Sequence, residues 1–132
     1  MLNDSQRGEF KSKGYLKIPG LITESTRKLM LDQLSDWVEE SRSYDANYGF
    51  DTPNGKARFD LEQSHSSDHP RLRRVANPVD ISEAYQSVLF FGEMPEVVAD
   101  LIGPDVFFHH CKLNNKFPGG TTRVEYHADH PF

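Results

Sequence analysis

Residues that favour β-structure are held back to the end of this chain, and that order constrains the fold more than any other feature. Up to Pro104 the apolar side chains recur at helical spacing or stand in short broken runs. Over residues 106–116 aromatic and β-favouring side chains crowd together, the four residues 117–120 read as a turn, and residues 121–129 start a second run just before position 132. Helices first and strands last predict an α+β chain whose strand region has only begun.

The spacing predicts a short helix over residues 5–13, capped by Asp4 or Ser5 and closed by Gly14. A strand is expected over 15–18, stopped by Pro19 and Gly20. Between 23 and 42, Met30, Leu31, Leu34, Trp37 and Val38 recur at three- and four-residue intervals among acidic and polar residues, the clearest amphipathic helix in the chain. Residues 43–70 have no sustained period and read as a long loop with a short strand near 57–61; loops of this length are commonly lids or binding loops. Asp80 and Glu83 are placed as a capping pair for a helix over 81–91, and Pro95 opens another helix ended by Gly103 and Pro104. At 132 residues, one domain or part of one is expected.

Composition narrows the partners. Twenty acidic residues against 15 basic ones give a net charge of −5, which argues against nucleic acid or an anionic membrane and for a small ligand. No apolar run approaches the roughly 20 residues of a membrane-spanning helix. Aromatic residues at 11% argue against disorder. The single Cys111 cannot form an internal disulfide and reads as a small buried residue. The opening MLNDSQRGEF lacks the pattern of a signal peptide, so a cytoplasmic setting is expected.

Chemistry concentrates at His127-Ala128-Asp129. On a strand, residues two apart share a face, so these would present an imidazole and a carboxylate to one point. Two histidines and one carboxylate on one face of a metal form the ligand set of non-heme Fe(II) oxygenases. The bare His-x-Asp pattern is also what an exposed strand histidine beside a surface aspartate would give.

Other groups read less sharply. His109 and His110, adjacent on a strand, would face opposite ways. His65 and His69 are four apart, but the Ser, Asp and Pro residues around them argue for a mobile loop rather than a metal-binding helix. Arg73 and Arg74 read as a solvated charge run. No Gly-x-Ser-x-Gly or phosphate-binding glycine loop is present.

The ordered set of segments carries a resemblance. Residues 10–22, FKSKGYLKIPGLI, precede the long helix; Leu101-Ile102-Gly103-Pro104-Asp105 leads into a strand; Leu113-Asn114-Asn115-Lys116-Phe117-Pro118-Gly119-Gly120 and Tyr126-His127-Ala128-Asp129 follow. Together they resemble the phytanoyl-CoA dioxygenase family of Fe(II)- and 2-oxoglutarate-dependent oxygenases. The resemblance implies a double-stranded β-helix, a cupin-like jelly roll with helices outside it, incomplete at its C-terminal side.

It also implies that His127 and Asp129 are metal ligands for Fe(II), with a third histidine and a 2-oxoglutarate-pairing arginine further along than residue 132. Asn114 matches a position that helps hold 2-oxoglutarate, and Lys112, two residues earlier, could donate to the same anion. Tyr126 would pack beside the metal, and a basic residue near the cosubstrate falls at Arg73 or Arg74. The implied activity is hydroxylation of a small metabolite using 2-oxoglutarate and O₂, since related halogenases lack the carboxylate that Asp129 provides. The rival expectation is a non-catalytic truncated relative, or a half-barrel that pairs through open strand edges with a partner chain.

Overall fold

A computed structural model describes residues 2–120 and 123–127. The chain forms two compact units, Met1–Asp36 with Asn77–Lys112, and Trp37–Ala76 with Leu113–Phe132.

In the first unit, α1 (Asp4–Lys13) is capped by Asn3 rather than Asp4 or Ser5. The Asn3 side chain accepts the Gln6 N–H and the Gln6 side chain accepts the Asn3 N–H, both at 2.9 Å, which satisfies two of the donors a helix start leaves open. Gly14 closes the helix with φ 77°, a conformation glycine adopts without strain. Residues 15–18 do not form the expected strand: the alternation is present, with Leu16 and Ile18 half-buried and Tyr15 and Lys17 exposed, but no neighbouring strand pairs with them.

α2 (Glu24–Ser41) matches the predicted helix closely, and Thr23 accepts the Thr26 N–H at 3.1 Å to start it. Its more buried stripe runs through Thr26, Met30, Gln33, Leu34, Trp37 and Ser41, so Leu31 falls outside it. The helix expected over 81–91 is split into two pieces and preceded by a third short turn. A 3-10 turn, Pro78–Asp80, precedes α3 (Glu83–Gln86), which runs into a π-turn at Ser87–Phe91. Ser82, not Asp80, is the cap residue, and it makes no side-chain capping bond. Gly92 follows the wide turn closely: a Cβ there would stand 3.1 Å from the Ser87 carbonyl oxygen. α4 (Met94–Ile102) has Pro95 in its first turn, one residue after its start, and is closed by Gly103.

The second unit holds a three-stranded sheet in the order β1 (Phe59–Leu61), β2 (Leu72–Ala76), β3 (Lys112–Asn114). β1 and β2 are antiparallel, with Phe59 opposite Val75, Asp60 opposite Arg74 and Leu61 opposite Leu72. Arg73 is therefore an extra residue on β2. This bulge lets Leu72 and Val75, three apart rather than two, share the apolar face, where neither is exposed at all. That face carries Phe59, whose ring stacks on Tyr48 at 4.6 Å and meets Trp37 edge-on at 6.0 Å. Burial pushes the Tyr48 phenol pKa up.

Among the described residues the sheet consists of these three short strands. The strand expected over 106–116 is limited, among the described residues, to Lys112–Asn114, and residues 106–110 are exposed and lie outside any strand. Residues 123–127 carry no strand, and the rest of the second expected strand lies outside the described residues. Among the described residues, no helix is long and apolar enough to cross a membrane.

Candidate functional site

His127 is exposed, and its Nδ1 lies 2.7 Å from the Glu125 carbonyl oxygen. A carbonyl can only accept, so Nδ1 is the donor in this contact, as in the Nδ1–H tautomer. This is the tautomer in which a histidine can ligate a metal through Nε2 while a backbone oxygen orients the ring. Imidazole nitrogen with carboxylate oxygen is a donor chemistry suited to Fe(II). Asp129, the second expected ligand, lies outside the described residues. Among the described residues, no three His, Cys, Asp or Glu side chains converge as a metal cluster. Tyr126, expected to pack beside the metal, is fully exposed.

Lys112 and Asn114 lie at the two ends of β3, both exposed, with half-buried Leu113 between them. The next residue ties the segment to β2: the Asn115 N–H donates to the Arg73 carbonyl and its side-chain amide to the Leu72 carbonyl, both at 2.8 Å. The turn after β3 closes with a bond from the Gly120 N–H to Phe117 O at 2.9 Å. Gly120 stands against the buried Glu62: a Cβ there would lie 2.9 Å from Oε1 and 3.0 Å from Oε2, so a side chain would displace the carboxylate. Arg71 reaches the same turn, donating to Pro118 O at 3.3 Å with its guanidinium 5.7 Å from the Phe117 ring centre.

The other histidines are placed differently from expectation. His65 is not a loose loop residue, since its Nδ1 accepts the Arg71 N–H at 2.8 Å and its Nε2 donates to Tyr44 O at 3.1 Å. Both ring nitrogens are thereby used in holding the 62–71 segment. His69 N–H and Ser66 N–H exchange bonds with each other's carbonyls, and Arg42 donates to Ser67 O at 2.5 Å, so this loop is knit together by hydrogen bonds. His109 and His110 do not diverge, because their segment is not a strand; their rings meet edge-on at 4.6 Å. Cys111, expected to be buried, is half-buried, and burial pushes its thiol pKa up.

The partner of Arg73 and Arg74 was not legible in the sequence. Arg73 and Arg74 are not a solvated run: both pair with Oδ2 of the buried Asp60, Arg73 at 2.9 Å. Adjacent strand residues normally face opposite ways, and the bulge at Arg73 turns both guanidiniums to one carboxylate. The available signal was the three-residue gap between Leu72 and Val75, which fits a strand only if one residue bulges.

No family model matches the chain, and no solved structure matches it. Three curated proteins are similar to it. The methylphosphonate hydroxylase of Gimesia maris is 27% identical over 119 residues, covering 90% of this chain and 41% of that protein. A 2-aminoethylphosphonate dioxygenase from the uncultured bacterium HF130_AEPn_1 is 25% identical over 126 residues, 96% of this chain and 44% of that protein. A probable alpha-ketoglutarate-dependent hypophosphite dioxygenase of Stutzerimonas stutzeri is 27% identical over 130 residues, 96% and 41%. The chain spans about two fifths of the length of these relatives, which are named as a hydroxylase and dioxygenases of small phosphorus compounds.

Proposed function

We propose that this chain is the ligand-bearing N-terminal part of an Fe(II)- and 2-oxoglutarate-dependent dioxygenase of the phytanoyl-CoA dioxygenase type, which hydroxylates a small phosphonate or related phosphorus oxyacid. The observation that carries this is similarity along 90–96% of the chain to three proteins named as hydroxylases or dioxygenases of such compounds. His127, with Nε2 as its ligating atom, and Asp129 would hold two metal positions. Lys112 and Asn114 would donate to the anionic cosubstrate. When bound, Fe(II) with 2-oxoglutarate and O₂ supplies the oxidising chemistry. The chain's own part is to fix two ligands in place, leave coordination positions open and bring anionic groups to cationic donors.

The test is succinate formation by the protein carrying this chain, supplied with Fe(II), 2-oxoglutarate and O₂. The expected result is succinate produced in step with consumption of methylphosphonate, 2-aminoethylphosphonate or hypophosphite. No phosphorus-dependent succinate with any of the three would contradict the substrate class.

A further inference from the structure

We infer that Arg73 and Arg74 form a binding site for the phosphorus oxyanion of the substrate, with Asp60 as the residue that positions them. The inference rests on the proposed phosphonate chemistry for the identity of the anion, but its geometry is independent of iron.

Asp60 sits on β1 with its side chain 6% exposed. A carboxylate so buried must be paired, and one arginine would suffice. Two are present on a single oxygen, Oδ2, which leaves the trio with a net charge of +1 in a chain whose overall charge is −5. The two arginine side chains are each about a third exposed, at 34% and 35%, so part of each meets solvent. Each carries five N–H donors, and bonds to one carboxylate oxygen use few of them. Nε of Arg74 is buried without a hydrogen-bond partner among the described residues, so Asp60 does not exhaust that side chain's donors.

A structural ion pair has no need of the second arginine. Two forked donors held side by side match the several oxygens of a phosphonate, which arginines recognise through paired N–H bonds. The bulge is what creates the juxtaposition, because without the extra residue Arg73 and Arg74 would project from opposite faces of β2.

The test is calorimetric titration of the metal-free protein carrying this chain with methylphosphonate, and separately with 2-oxoglutarate, at low ionic strength. Arg73→Gln and Arg74→Gln are expected to weaken methylphosphonate binding roughly tenfold or more each, with Arg74→Lys in between and 2-oxoglutarate binding unchanged. A second measurement on the unaltered protein guards against variants that misfold. Methylphosphonate should slow phenylglyoxal modification of Arg73 and Arg74, as read by peptide mass. No binding of methylphosphonate, no protection of either arginine, or protection by 2-oxoglutarate alone would overturn the site. Because no iron is added, its failure is distinct from a failure to bind metal or to oxidise substrate.

Discussion

Asp100 of α4 and Arg7 of α1 meet across 93 positions of sequence, both carboxylate oxygens accepting from Arg7 Nη2 at 2.7 and 2.9 Å. The Leu2 N–H donates to the same carboxylate at 2.8 Å. These contacts fasten the first helix to the last within one unit, and Leu2 is buried where they do so.

A pH dependence follows. The Leu2 N–H first, and then the Arg7 guanidinium, hold the Asp100 carboxyl below its ordinary range. A carboxyl with a lowered folded-state pKa contributes stability above its unfolded pKa, near about 4, and loses it as pH falls through the folded value. Asp100→Asn is therefore expected to melt at a lower temperature than the parent at pH 7. The gap should narrow below about pH 4. Thermal melts of both proteins between neutral and acid pH check this, and a gap that stays constant would refute it.

Gly49 is a position where any side chain collides. Its φ is 73°, and a Cβ would meet the Phe59 ring at 2.9 Å and Arg58 Cβ at 3.2 Å. Gly49→Ala is expected to cost about 1–3 kcal/mol, from strain and from displacement of the Tyr48–Phe59 stack. Urea unfolding followed by tyrosine fluorescence measures it.

Asn77 is the one non-glycine with a positive φ among the described residues, at 44°, and its Oδ1 accepts the Cys111 N–H at 3.0 Å. Asn77→Ala should lose both the bond and the favoured conformation, about 1–3 kcal/mol. Asn77→Gly should recover part of that by relieving the backbone. Equal losses in the two variants, measured by chemical denaturation, would show that the backbone conformation contributes nothing.

The legible parts of this fold are those set by local pattern. α2 and α4 announce themselves through helical periodicity, Pro95 and Gly103, and Gly14 ends α1 because only a left-handed residue suits that position. What local pattern hides is pairing. Residues 15–18 and 106–110 have the composition of strands but lie in no strand among the described residues, whereas β2 is a strand disguised by its bulge. Arg73 and Arg74 looked solvated for the same reason: a short strand was expected near 57–61, but not its pairing with β2, which brings Asp60 to both arginines. At the candidate metal site, sequence supplied the donor types of His127 and Asp129, while the donor role of His127 Nδ1 became visible only through the Glu125 carbonyl.

The most direct test of the central claim is anaerobic addition of Fe(II) and then 2-oxoglutarate to the protein carrying this chain, followed by visible spectroscopy. The account predicts a weak charge-transfer band from the chelate that is lost in His127→Ala and in Asp129→Ala, while both variants keep the parent's circular dichroism. A band that persists when both residues are replaced would contradict it.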